Sequence, residues 1–182
     1  IRFSDDPVKF GEEGFVYEVN RDDLAFAGGA PANPLRYFDH TVLALNPCNV
    51  KRIESFVQGR KEAIIRNNDD QWVVPDESGR IVNKKAVEDI LFTIANLRAI
   101  RIEKQAVENP AEYGLAEATM VFTFGLSGKQ GIQKTLKLGY KARTDGIYAM
   151  VQGQDVIFVL SNAVVRELTQ ALTGDKEPKS GE

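Results

Sequence analysis

Between Trp72 and Leu115 the chain reads WVVPDESGRIVNKKAVEDILFTIANLRAIRIEKQAVENPAEYGL, and no other stretch restricts the possible folds as much. A strand-like segment runs into Pro75, whose ring removes a backbone donor and ends the ladder. A loop follows. Then Val87, Ile90, Leu91, Ile94 and Leu97 recur at the spacing of one helical face, so one long amphipathic helix is expected. Lys84, Lys85, Glu88, Asp89, Asn96 and Arg98 fall on the other face. Asn83 stands where its side chain can accept from a free first-turn amide. A helix with one apolar stripe must pack on something, and the strands around it are the available partner. After Asn109-Pro110 the connection closes on Tyr113-Gly114-Leu115.

Upstream, residues 50–58 and 61–67 flank Gly59-Arg60, which predicts a tight hairpin. Asn67-Asn68-Asp69-Asp70 turns the chain into residues 71–74 and completes a three-stranded meander. Downstream lie four more strand segments, residues 119–126, 135–140, 146–151 and 155–160. Met120, Phe122 and Phe124 alternate with Val121 and Thr123, and Leu136 and Leu138 alternate with lysines. That pattern buries one face of an antiparallel sheet. Ser161-Asn162 caps a last helix carrying Val164, Val165, Leu168, Ala171 and Leu172, with Gly174 as its stop. Near the start, residues 8–10 read as a short strand, residues 14–27 as a hairpin and residues 28–34 as a loop. Leu35, Phe38, Val42 and Leu45 then predict a short helix over residues 35–43, halted by Asn46-Pro47.

The hairpin of residues 14–26 lines up with residues 146–158: Gly14 with Gly146, Val19 with Val151, Asp23 with Asp155, Phe26 with Phe158. A helix is expected after both copies. The chain therefore reads as an α+β protein of repeated units, each a mostly antiparallel sheet packed against one long and one short helix. Residues 1–45 are the C-terminal part of a preceding repeat, residues 46–174 one complete repeat, and residues 175–182 a disordered tail.

The residue inventory narrows the chemistry. With 182 residues, 43% of them hydrophobic, the chain is long enough to bury a core without covalent staples. A net charge of −3 with both signs interspersed gives no basic face for nucleic acid and no polybasic membrane patch. One cysteine, Cys48, rules out an intrachain disulfide, and one histidine beside one cysteine excludes a zinc site. No apolar run reaches the roughly 20 residues of a membrane span. His40 reads as a solvated helix position, without a nucleophile signature such as G-x-S-x-G. Cys48 reads as a half-buried, inert thiol following Pro47. Gly125-Leu126-Ser127-Gly128-Lys129-Gln130-Gly131 lacks the spacing, the hydroxyl and the following helix of a phosphate loop, so it is a hairpin loop. Asp69, Asp70, Asp76 and Glu77 lack the alternate ligand spacing of a calcium loop. No catalytic, cofactor-binding or metal-ligating set emerges.

Trp72 and Pro75, then Leu91 and Leu97 within V-x-x-I-L-x-x-I-x-x-L-R-A, then Tyr113, Gly114, Leu115, Gly139 and Gly146 form an ordered set. This set resembles the bacterial family known as domain of unknown function 4340. The likeness runs from about Val50 to Leu172. It implies tandem units in a membrane-anchored protein whose soluble part works outside the cytoplasm, on the periplasmic side. It also implies neighbours of the ABC-type transporter and gliding-motility kind, and it implies no reaction. The N-terminal anchor such a protein needs is absent from this chain. The expectation is a non-enzymatic interaction module, with ABC-type transporter components as partners and no direct membrane insertion by this fragment. Two alternatives stay open. One is a small-molecule or glycan binding domain using a cleft between repeats. The other is a hydrolase with a carboxylate pair.

Overall fold

Alternation along the strands builds a sheet whose two faces are buried by different parts of the chain. A computed structural model describes residues 38–75, 79–128 and 131–175. The short strand at 8–10, the hairpin at 14–27, the loop at 28–34, the first residues of the helix expected at 35–43, and the tail beyond Asp175 lie outside the described residues. The described residues belong to one compact unit, Leu35–Glu182.

The strands, in chain order, are β1 (Thr41–Leu43), β2 (Val50–Val57), β3 (Arg60–Arg66), β4 (Trp72–Val73), β5 (Ile81–Val82), β6 (Leu97–Arg98), β7 (Arg101–Gln105), β8 (Met120–Leu126), β9 (Gln133–Lys141), β10 (Ile147–Val151), β11 (Val156–Leu160) and β12 (Thr173–Gly174). Two α-helices accompany them among the described residues, α1 (Lys84–Ala95) and α2 (Asn162–Leu168). Eight strands form one antiparallel sheet in the order β4-β3-β2-β8-β9-β10-β11-β7. The pairs β1–β6 and β5–β12 are separate two-stranded pieces. The fold is α+β and mostly antiparallel. No helix among the described residues is long and apolar enough to cross a membrane.

The alternation read from the sequence decides which side chains go inside. Ile53 of β2, Phe122 and Phe124 of β8, Leu136 and Leu138 of β9, and Phe158 and Leu160 of β11 join one core with Val87, Ile90, Leu91 and Ile94 of α1 and Val165 and Leu168 of α2. Among the described residues, the opposite face is covered near β10 and β11. There Tyr148, Ile157 and Val159 pack with Leu115 and Ala142. β11 therefore buries both of its faces, and it lies one strand in from the sheet edge.

Asn83 caps α1 as its position predicts: its Oδ1 accepts from the Ala86 amide at 3.2 Å. Ser161 caps α2 through the Val164 amide at 3.3 Å. Four expectations need correction. Thr41–Leu43, placed in a helix by spacing, is a strand, because Leu97 and Arg98 offer it a partner ladder across the chain. The helix ends at Ala95, where Asn96 leaves helical geometry, so Leu97 is buried from a strand and not from the helical stripe. The connection toward Tyr113 is itself two strands, β6 and β7. The last helix stops at Leu168, and Gly174 pairs with Ile81 instead of terminating it. A smaller shift occurs in the β2–β3 turn, whose two residues are Gln58 (φ 49°) and Gly59 (φ 87°).

Candidate functional site

The Tyr113-Gly114-Leu115 signature is a packing device. Pro110–Tyr113 forms a short 3₁₀ turn that Asn109 caps through the Ala111 amide at 3.2 Å. Gly114 follows at φ 70°, the left-handed conformation that glycine adopts without strain. Tyr113 meets Tyr148 edge to face, with ring centroids 5.0 Å apart. Leu115 is fully buried against β10 and β11. The turn seats on the sheet at Gly139: a Cβ there would lie 2.0 Å from the Tyr113 carbonyl oxygen. Gly146 serves similarly, with a Cβ position 2.2 Å from the Leu160 carbonyl oxygen. Two glycines of the signature set thus mark places where backbone meets backbone.

Trp72 and Leu91 of the same set converge elsewhere. Trp72, on the edge strand β4, packs half-buried against the main core. The guanidinium of Arg66 lies 5.0 Å from its ring centroid. Between this pair and α1 is an open hollow of about 430 Å³, with Val87 and Leu91 on its floor and Lys84, Glu88 and Asp70 around it. Asp70 accepts from Lys51 Nζ at 2.9 Å and from Arg66 Nη1 at 2.8 Å. The Lys51 and Arg66 bonds hold its carboxyl below the ordinary aspartate value of 3.8. Pro75 is exposed just beyond β4. Leu97 is buried in β6, within the same core as Trp72. One helical turn further along α1 from Glu88, Phe92 is 84% exposed, the most exposed large apolar side chain among the described residues.

A feature that no sequence motif announces lies where β3 meets the Arg80 segment and β12. Glu62 has a fully buried side chain in β3. Its Oε1 accepts from Thr173 Oγ1 at 2.7 Å, Arg80 Nη2 at 3.1 Å and the Thr173 amide at 3.2 Å. Its Oε2 accepts from the Leu172 amide at 3.1 Å and pairs with Arg60 Nε at 3.2 Å. Four hydrogen-bond donors and the Arg60 ion pair on two oxygens satisfy a buried carboxylate as such groups require. The result is a clasp joining β3, the Arg80 segment and β12. Ser55, opposite Glu62 in the β2–β3 ladder, is buried with its hydroxyl unpartnered among the described residues. The signal was available: Glu62 shares strand parity with buried Ile64, so an acid stood where the alternation demanded an apolar residue.

The remaining positions singled out by sequence are scattered. His40 precedes β1 and is not helical; its backbone carbonyl accepts from the Ala99 amide at 2.8 Å. Its Nε2 is buried without a partner among the described residues, which corrects the solvated reading. Cys48 is exposed, not half-buried, because it sits on the 3₁₀ turn Pro47–Asn49, which buries none of its residues. Gly125–Gly131 connects β8 to β9 with no helix after it, as a hairpin loop should; Lys129 and Gln130 lie outside the described residues. Asp69 sits in the turn organised by the Asn67 side chain, while Asp76 and Glu77 lie outside the described residues. No group of His, Cys, Asp or Glu able to hold a metal ion occurs among the described residues.

No curated protein and no solved structure matches the chain. Residues 72–174 match the family described as Domain of unknown function (DUF4340). The match opens on Trp72, closes on the β12 glycine and takes in α1, the Tyr113-Gly114-Leu115 turn and the strands after it. With more than half of its length matched in this way, the chain belongs to the DUF4340 family.

Proposed function

We propose that this chain is a non-enzymatic interaction module of a membrane-associated protein, working on the periplasmic side as an auxiliary of an ABC-type transport system. On this reading residues 46–174 are one repeat, preceded by the end of another in residues 1–45. Each repeat sets a mostly antiparallel sheet on one long and one short helix.

The observation that carries the reading is the exposed side of α1. Buried aromatic residues normally hide on the apolar stripe, yet Phe92 stands 84% exposed on the charged side of a helix whose other face is fully engaged. The Trp72 hollow lies on the same helix, with Glu88 one turn before Phe92 on its rim and an apolar floor, the anatomy of a contact surface. Most signature residues stabilise the unit, so contact with a partner falls to this surface. The test is affinity purification of the full-length protein from gently solubilised native membranes, with the co-purifying proteins identified. Transporter subunits in fixed ratio, lost with Phe92→Asp while the protein stays folded, support the proposal. A protein that purifies alone, or that never fractionates with membranes, overturns it.

A further inference from the structure

The sheet face turned away from the helices is covered over β10 and β11 and open over β3, β2 and β8, among the described residues. Ile53, Phe122, Phe124 and Leu136 join the helix-side core, so their strand neighbours point the other way. On the covered half lie residues 107–117, VENPAEYGLAE, whose Val107, Tyr113 and Leu115 pack with Tyr148, Ile157 and Val159. On the open half Phe56 is 40% exposed, and Ala63, Ile65 and Val121 keep part of their surface in water.

The ladder fixes what surrounds this apolar surface. Lys61 stands opposite Phe56, Phe56 opposite Val121, and Val121 opposite Lys137. One row thus sets an apolar pair between two lysines, across three strand spacings or roughly 14 Å. Neither lysine has an ion pair among the described residues. The other polar groups here answer one another: Arg52 pairs with Glu54, and the Thr123 and Thr135 hydroxyls lie 3.2 Å apart. At the paired positions of β3, β2, β8 and β9 on this face stand three cations, Arg52, Lys61 and Lys137, against the one anion Glu54. The chain as a whole has a net charge of −3, so the face is opposite in sign to the molecule. Like charge disfavours a second copy of the same face, and the overall negative charge disfavours an anionic lipid surface. An acidic segment of chain fits both the lysines and the apolar pair. The covered half displays the chemistry of such an occupant: residues 107–117 carry Glu108, Glu112 and Glu117 and no lysine or arginine, beside the apolar side chains that pack inward.

We propose that the open half of this face docks an acidic amphipathic segment of a partner protein. Its apolar residues lie on Phe56 and Val121, and its carboxylates lie on Lys61 and Lys137. The face is on the side of the sheet away from α1, so the proposal stands whether or not the Phe92 surface has a partner.

The experiment titrates a synthetic peptide of repeated Glu-Leu-Leu-Glu units into the ¹⁵N-labelled full chain and follows the backbone amides. The expected result is saturable shifts at Phe56, Lys61, Val121 and Lys137, with the Phe92 amide unmoved and binding that weakens in high salt. The Lys-Leu-Leu-Lys counterpart, with the same apolar stripe and the opposite charge, leaves these amides in place. Lys61→Glu combined with Lys137→Glu weakens the acidic peptide about ten-fold, the factor expected for reversing two exposed ion pairs. Phe92→Asp leaves its binding unchanged, which separates this face from the α1 surface. Because the two peptides are compared on the unaltered protein, the charge requirement is decided independently of folding. An acidic peptide that moves none of these amides, shifts that gather around Phe92 or Trp72 instead, or a lysine peptide that moves the same amides equally would each overturn the proposal. So would shifts at this face that appear on concentrating the protein alone, as for a second copy, or binding to phosphatidylglycerol vesicles in place of the peptide.

Discussion

Among single residues, the glycines of the signature separate two kinds of demand. At Gly139 a methyl group would meet the Tyr113 carbonyl oxygen at 2.0 Å, and backbone on both sides leaves little room to give. At Gly114 the nearest obstacle is the Tyr140 ring at 2.6 Å, a side chain 64% exposed that can swing away, so the left-handed φ sets most of the cost there. Gly139→Ala should therefore lose about 3 kcal/mol and Gly114→Ala about 1–2 kcal/mol. Urea midpoints of the two variants check the order, and equal losses would refute this account of the turn's seat. Glu62→Ala strands two backbone amides and removes the anion between two arginines. A loss of about 3 kcal/mol is expected, below the top of the range for a broken buried pair because both guanidiniums reach solvent. A change under about 1 kcal/mol would mean that the clasp is replaceable by water. Sequence made Gly114 legible as the centre of the Tyr113-Gly114-Leu115 signature that closes the connection. Gly139 drew attention only as part of a pattern, since nothing local announces that a distant carbonyl will press on it.

Elements were legible where their own residues decide them and obscure where a distant partner does. The α1 face, its Asn83 cap and the four strands from β8 to β11 follow from periodicity, and each appears within a residue or two of its expected bounds. β1 and β12 do not, because both are short and owe their geometry to partners far along the chain, Leu97–Arg98 and Ile81–Val82. The spacing of Leu35, Phe38, Val42 and Leu45 resembles a helical face. In the fold Val42 and Leu43 are buried from a strand and Leu45 from the segment after it, and Phe38 is half exposed. The Trp72 hollow was illegible for the same reason, since it joins strands and helix separated in sequence. Asn83 tests the coupling of elements directly. Its Oδ1 caps α1 while its Nδ2 donates to the Ala171 carbonyl at 3.2 Å. Asn83→Asp keeps the cap and drops the donor, whereas Asn83→Ala loses both. The alanine variant should fall by about 1 kcal/mol and the aspartate variant by less than half of that. Thermal unfolding of both discriminates, and an aspartate variant as weak as the alanine one would place the main contribution in the Ala171 bond.

At the scale of the whole molecule, three exposed aspartates held by hydrogen bonds and ion pairs contribute to the response to acid. Asp39, Asp70 and Asp89 all titrate below the ordinary 3.8. The leading causes are the Thr41 hydroxyl for Asp39, Lys51 for Asp70 and Lys85 for Asp89. A carboxyl with a lower pKa in the folded state contributes stability above its unfolded value and loses it as pH falls through the folded one. Stability from these groups should hold steady at neutral pH and decline only below about pH 4, less steeply in high salt because the groups are exposed. Urea midpoints taken down to about pH 2 should show a shallower acid slope for Asp70→Asn than for the unaltered chain. Identical slopes would remove Asp70 from the account.

The Glu62 clasp also has a mechanical consequence. β12 lies outside the main sheet, and Leu172 and Thr173 are tied to β3 by donors converging on one carboxylate. Tension applied beyond Gly174 reaches β3 through that carboxylate and the α1 cap through Asn83. β12 adds only two paired residues of its own, Thr173 with Val82 and Gly174 with Ile81. A pull on the C-terminal end of this unit is thus shared between that buried carboxylate, the β5 pairing and the Asn83 amide, which donates to the Leu172 carbonyl at 2.8 Å.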